Sequence, residues 1–368
     1  MINNFLKQNK IDALISSHLP TVRFFSGSTL NRSGSGFTGT NGLIIIIKNN
    51  HRQGGIPPRG GEKYFVTDSR YTQQAKKQAR GFKIVTADRE LSKNLGEIMR
   101  IEKIKKLGFW ANELLFSTWQ KYKKIFKNVK LIALKQDSAE LRILKNKTEI
   151  KFIKRAHEIN KIAFRKIKKI IKPGVTEMFV ARKLEQAMLR AGAEKIGFDT
   201  IVASGLHGAL PHGVASTKKL KRGELVTIDF GCDVAGYHSD ETVTLCLGKP
   251  NKKQKEIWQT VYNAQQAAKK LARPGVSCGE LDKAARDYIT RAGYGKYFAH
   301  ALGHGVGLEI HERPTISEKS SDILRPGMVF TIEPGIYIPG WGGVRIEDVY
   351  VCQKNGIKPL SGINKVLL

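Results

Sequence analysis

Two segments of this chain follow one pattern, KPGVTEMFVARKLEQAMLRAG at 172–192 and RPGVSCGELDKAARDYITRAG at 273–293. Each opens on a Pro-Gly turn and then places a hydroxyl residue, Thr176 or Ser277, where a helix needs its N-cap. Apolar residues follow three and four apart, and a glycine, Gly192 or Gly293, closes the copy. An amphipathic stretch precedes each copy, SAELRILKNKTEIKFIKRAHEINKIAFRKIKKII at 138–171 and the run from Ile257. Short strand-like runs follow each. A chain that repeats a helix pair in this way has two equivalent apolar faces to bury. The simplest solution is two helix pairs over one antiparallel sheet across 138–368.

The first third reads differently. LIIIIKN at 43–49, KYFVTDSR at 63–70 and IKKLGFWA at 104–111 are strand signals, and a helical pattern starts at Tyr71 and stops at Gly81. Between the first two strands, NHRQGGIPPRGG at 50–61 has the composition of an exposed loop. With 368 residues, two domains are expected, an α/β unit at 1–135 and a larger unit at 136–368. No apolar run approaches the ~20 residues that span a bilayer, and the first residues lack the continuous apolar segment of a signal peptide. Four dispersed cysteines without a CxxC argue against a zinc ribbon or a disulfide scaffold, and a cytoplasmic location is expected.

The chain carries 63 Lys+Arg against 32 Asp+Glu, a net of +31. Such a balance suits an anionic partner. The lysines are nevertheless spread along the chain, and no RNP, KH or zinc-finger signature accompanies them. The reading is a solvated basic surface, without nucleic acid and without membrane.

Acidic residues are scarce, so their placement is informative. In VTIDFGCDVAGYHSDETVTLCLG at 226–248, Asp229 and Asp240 flank a turn whose centre would fall between Val234 and Ala235. A symmetric hairpin would set them opposite each other, ~4.5–5.5 Å apart at Cβ. In VFTIEPGIYIPGWGGVRIEDVYV at 329–351, Glu333 and Glu347 are likewise symmetric about Gly340. Between the hairpins, AHALGHGVGLEIHE at 299–312 holds His300, His304 and His311. A lone strand Asp is ordinarily a turn or cap residue. Four carboxylates at two hairpin-symmetric spacings are not explained so, because a buried carboxylate costs several kcal/mol unless paired or metal-bound. An oxygen-rich set with one imidazole suits two divalent ions ~3.5–4 Å apart sharing a hydroxide, and manganese, cobalt or iron better than a structural zinc. His304 and His311 would fall on opposite faces of an unbroken strand, but Gly305 and Gly307 permit a bulge that restores a common face.

VTIDFGCDVAGYHSDET, GHGVGLEIHE, TIEPGIYIPG and GVRIED resemble the signature segments of the pita-bread metallopeptidases, which include methionine aminopeptidase, aminopeptidase P, prolidase and creatinase. TVRFFSGSTL, GFTGTNGLIIII and YFVTDSRYTQQA resemble the creatinase-type N-terminal domain of bacterial aminopeptidase P and prolidase. The resemblance implies an α+β chain, with a creatinase-like α/β domain followed by a pita-bread catalytic domain of pseudo-twofold symmetry. It implies Asp229, Asp240, His304, Glu333 and Glu347 as ligands of two divalent ions, chiefly Mn2+, with Co2+, Zn2+ or Fe2+ as substitutes. It implies peptide substrates with proline in second position, cleaved by a metal-bridging hydroxide, and a homodimer.

SGLHGALPHGVAS at 204–216 resembles the segment whose second histidine, His212, faces the substrate. By the same resemblance Glu333 shuttles the proton, and His212 and His311 hydrogen-bond the substrate. Arg345 would orient the carboxylates, while His300 and Tyr337 would line the pocket. Two departures stand out. The loop 50–61 is longer than the turn expected there. Prolidases often carry an Arg just after the HExP segment, where HERPTIS has Thr315, with Arg313 two residues earlier. The main expectation is therefore an Xaa-Pro aminopeptidase, with prolidase, the Xaa-Pro dipeptidase, as the alternative. The intact ligand set disfavours a non-catalytic RNA- or ribosome-binding relative.

Overall fold

A computed structural model describes residues 1–27, 42–49, 61–87 and 91–367. The basic loop 50–61, all but Gly61, and part of the front-domain motifs lie outside the described residues. The chain divides into two units, Met1–Arg142 and Ile143–Leu368. The first ends beyond residue 135 because the turn Ser138–Arg142 is tied to Thr21, whose Oγ1 donates to Ser138 Oγ at 3.0 Å and accepts from Arg142 Nη1 at 3.3 Å.

In the first unit, Leu43–Ile47 lies inside a six-stranded sheet. It pairs antiparallel with Ala13–Ser16 on one side and Lys63–Asp68 on the other. Parallel pairs with Lys83–Ala87, Lys106–Trp110 and Lys130–Leu134 complete the sheet. Strand alternation sends Leu43, Ile45 and Ile47 into one core and Ile44 and Ile46 into another. An uninterrupted aliphatic run is stable there because both faces are covered.

The second unit contains the duplication. Thr176 caps the helix Glu177–Arg190, and Ser277 caps Cys278–Arg291 with a capping box to Glu280. Gly192 and Gly293 end the copies with φ of 101° and 86°. The preceding helices, Lys147–Ile167 and Lys252–Leu271, both start from an Asn capping box, at Asn146 and Asn251. The stretch from 138 is thus divided into the turn Ser138–Arg142, the helix Lys147–Ile167 and a closing turn Lys168–Ile170, because the Asn146–Glu149 box starts the helix later than the apolar pattern does. Equivalent side chains make equivalent bonds: Asn160 Nδ2 donates to Phe230 O at 3.3 Å, and Gln265 Nε2 to Ile332 O at 3.1 Å.

Each helix pair has its own core. Residues 156–188 pack with strands Ile201–Ser204, Leu225–Phe230 and Glu241–Cys246. Residues 257–289 pack with Val329–Ile332, Gly335–Ile338, Gly342–Arg345 and Asp348–Gln353. The expected single sheet is divided into three-stranded, five-stranded and shorter antiparallel pieces. The breaks fall at 231, 239–240, 333–334 and 346–347. Interruptions of this kind re-aim side chains, and three of the four coincide with a carboxylate singled out above. Among the described residues, no helix is long and apolar enough to cross a membrane.

Candidate metal centre

The second hairpin folds about the expected centre. Ile332 pairs with Asp348 and Gly335 with Arg345, one continuous register that sets Glu333 opposite Glu347 in the gap between the paired segments. The first hairpin turns one residue later. Ala235 and Gly236 form the connection between Val234 and Tyr237, with φ of 51° and 76°. Two central residues with positive φ match the twist of the flanking strands. Asp229 therefore pairs with Thr242, not with Asp240. Asp240 sits diagonally, two residues away, and keeps the same side.

The histidines converge as the glycines allow. The register slips between His304 and Gly305, so Gly305 pairs with Glu312 while His304 pairs with Thr315. A Cβ at Gly305 would strike the backbone carbonyl of Arg313. The slip brings the His304 and His311 rings to 4.2 Å, edge to face.

Asp240, His304 and Glu347 offer ligand atoms all within 4.8 Å of one another. His304 Nε2 is 3.1 Å from Glu333 Oε1 and 3.6 Å from Asp240 Oδ2, while its Nδ1 faces Gly305 O at 3.1 Å. Asp229 joins through Arg345, whose Nη2 donates to its Oδ2 at 2.6 Å. Two threonines absent from the sequence reading complete the set. Thr242 Oγ1 donates to Glu347 Oε2 at 2.7 Å, and Thr331 Oγ1 to Glu333 Oε1 at 2.9 Å. Each stands two residues from a carboxylate (Asp240, Glu333), and strand periodicity could have found them.

The electrostatics describe a cage of excess negative charge. Burial and the charge of Asp229 hold the Asp240 carboxyl well above its ordinary range. Burial and the charges of Asp240 and Glu333 do the same to Glu347. Burial also raises Asp229, against the pull of Arg345. Burial alone would lower His304 and raise Glu333. Their mutual hydrogen bond reverses both, lifting His304 to about 9 and pulling Glu333 down to about 2. Asp229 Oδ1 and Glu347 Oε1 are buried with no hydrogen-bond partner. Orphaned carboxyl oxygens around one imidazole are the donor set a divalent cation satisfies, so these residues fit a metal centre.

Arg345 braces the wall behind this set. Its Nε donates to Thr242 Oγ1 at 3.1 Å, and its Nη1 to Tyr337 Oη at 2.8 Å and Pro211 O at 3.0 Å. Tyr337 Oη lies 3.0 Å from His300 Nε2, and His300 Nδ1 lies 2.8 Å from Ala301 O. His212, next to Pro211, is exposed, as is His311. Burial first, then the charges of neighbours that include His304 and His212, lower His311. The loop bearing His212 is held by Glu177, which the sequence presents only as a first-turn acid. Glu177 accepts from Ser204 N and Oγ at 2.8 and 2.7 Å and from Ser216 N and Oγ at 3.2 and 2.6 Å. His207 Nδ1 adds a contact at 2.9 Å.

Residues 151–354 match the model of metallopeptidase family M24, and residues 2–144 that of the creatinase/prolidase N-terminal domain. The Xaa-Pro dipeptidase of Pyrococcus horikoshii is 40% identical over 367 residues, covering 100% of this chain and 97% of that protein. An Xaa-Pro dipeptidase structure from Bacillus anthracis superposes with a TM-score of 0.91 at 38% identity, covering 100% of this chain and 97% of that one. An X-Pro aminopeptidase structure from Thermotoga maritima superposes with a TM-score of 0.87 at 34% identity, covering 100% and 99%. The fold is the α+β arrangement of a creatinase-type domain followed by a pita-bread domain.

Proposed function

This chain belongs to metallopeptidase family M24, and we propose that it is a metal-dependent Xaa-Pro dipeptidase, a prolidase. The observation that carries the reading is the convergence of Asp240, Glu333 and Glu347 on His304, with Glu347 Oε1 and Asp229 Oδ1 buried and unpartnered. The substrate class rests on full-length similarity to proteins named Xaa-Pro dipeptidase, which favours the dipeptidase over the aminopeptidase expected from the HERPTIS segment.

Asp229, Asp240, His304, Glu333 and Glu347 would hold two divalent ions, manganese being the best fit to the oxygen-rich set. Bound there, the ions supply Lewis acidity at the scissile carbonyl and a water acidified to near neutral pH. Glu333 would accept the proton of that water and return it to the departing prolyl nitrogen, a poor leaving group unless protonated. His311, its proton affinity lowered chiefly by burial, and His212 would donate hydrogen bonds to the substrate carbonyl as negative charge develops. Arg345 holds Asp229 and Thr242 in place, and Tyr337 fixes the His300 ring on the pocket wall.

The second reading, an Xaa-Pro aminopeptidase acting on longer peptides, is favoured by one observation. Thr315 stands where prolidases often carry the Arg that grips a dipeptide carboxylate, and Arg313, two residues earlier, pairs with Asp322. Hydrolysis of Ala-Pro beside Ala-Pro-Ala by the manganese-loaded protein separates the two: the dipeptidase cleaves the first, the aminopeptidase the second. Four buried free thiols support a reducing compartment such as the cytoplasm. A homodimer, implied by the family resemblance, is tested by light scattering.

A further inference from the structure

Asp240 and Glu347 are each followed by another carboxylate, Glu241 and Asp348. Alternation along the chain turns this second pair away from the cage. Both face one cation. Lys365 Nζ lies 2.8 Å from Glu241 Oε1 and 3.3 Å from Asp348 Oδ1, and its side chain is only 6% exposed. The segment carrying Lys365 is fastened at two further points. Ile363 N donates to Glu241 Oε1 at 3.3 Å, and Ser361 Oγ donates to Asp348 Oδ1 at 2.8 Å while accepting from Val349 N at 3.3 Å. A helix from each half closes the arrangement. His157 Nδ1 stands 3.7 Å from Glu241 Oε2, and Gln265 Nε2 donates to Asp348 Oδ2 at 3.1 Å.

We propose that Lys365 is a positioning residue of the metal centre, an ammonium brace that ties the residue after Asp240 to the residue after Glu347. The proposal rests on the metal-centre reading above. The two ligands come from different copies of the duplicated unit, and near them the strands meet through Glu347 N donating to Thr242 O at 3.2 Å. Four carboxylates in two consecutive pairs would push these strand ends apart without a cation between them. Lys365 supplies that cation on the side away from the cage. It thereby sets the spacing of the ligand oxygens without touching substrate or metal. Groups hydrogen-bonded to metal ligands typically tune affinity 10–100-fold, and Lys365, acting through the residue beside each ligand, should act at the low end of that range.

The test is calorimetric titration of the chelator-stripped full chain with Mn2+, alongside melting of the stripped proteins. Lys365→Met should raise the Kd for manganese by about tenfold or more, and Lys365→Arg, which keeps a cation between the carboxylates, should stay near wild type. Wild-type affinity in Lys365→Met, with only a lower melting temperature, would make the lysine merely structural and overturn the proposal. If Lys365→Met does not fold, Asp348→Asn removes one end of the brace at constant size. Its Kd should rise several-fold, and an unchanged Kd overturns the proposal equally. A wild-type chain that binds no divalent ion would instead overturn the metal-centre reading itself.

Discussion

Arg345 and Asp229 form a buried ion pair, Nη2 to Oδ2 at 2.6 Å, between the strand that leads into Glu347 and the strand that carries Asp229. The guanidinium also donates to Thr242, Tyr337 and Pro211, so one side chain links a carboxylate of the cage, the hydroxyl that holds Glu347, the Tyr337–His300 pair and the His212 loop. The charge of Arg345 also lowers the repulsion within the cage.

Arg345→Met should therefore destabilise the protein by ~3–5 kcal/mol, the usual effect of removing one partner of a buried pair. Arg345→Lys should rescue little, because an ammonium cannot match the planar fork that reaches four partners. Denaturant unfolding of the three proteins measures both effects.

Asp240→Asn separates the penalty of the cage from its use. The folded-state carboxyl is raised, so in the stripped protein Asp240 opposes folding above its ordinary value of ~3.9 and is neutral below it. Stripped Asp240→Asn should melt above stripped wild type at pH 7, and the two should converge near pH 4. With manganese the order should invert, because the variant loses a ligand, and turnover should vanish while the fold persists. Thermal melts with and without metal at both pH values give the answer.

Glu177→Gln tests the clasp of the His212 loop. The Glu177 carboxyl is held below its ordinary range. Burial alone would raise it, but hydrogen bonds from Ser216, Ser204 and His207 outweigh that. A depressed carboxyl stabilises the fold fully above its unfolded value of ~4.3, and this is lost as pH falls through the folded value. The stability gap between wild type and Glu177→Gln should be constant from pH 5 to 7 and close in acid. If the loop serves the substrate, KM should rise more than kcat falls.

The second hairpin was legible because hairpin symmetry is arithmetic. Glu333 and Glu347 straddle Gly340, and the register obeys that count. The first hairpin departs from the symmetric count by one residue because Ala235 adopts positive φ, a conformation that alanine does not advertise as Asn or Gly would. The His304–His311 approach was readable from Gly305, whose missing side chain admits the Arg313 carbonyl. Glu177 and Lys365 were not readable, since their partners lie far off in sequence and each alone resembles an ordinary surface charge. The division of the sheet also escaped the pattern, because the interruptions serve the carboxylates and leave no mark in the apolar periodicity.

The most direct test strips the protein with a chelator and returns Mn2+ stepwise, following Ala-Pro hydrolysis and bound metal per chain together. Activity that is absent in the stripped protein and returns in proportion to occupancy, reaching its plateau at two ions per chain, is the predicted result. Hydrolysis that survives stripping, or a metal-loaded protein that cleaves neither Ala-Pro nor Ala-Pro-Ala, would contradict the account.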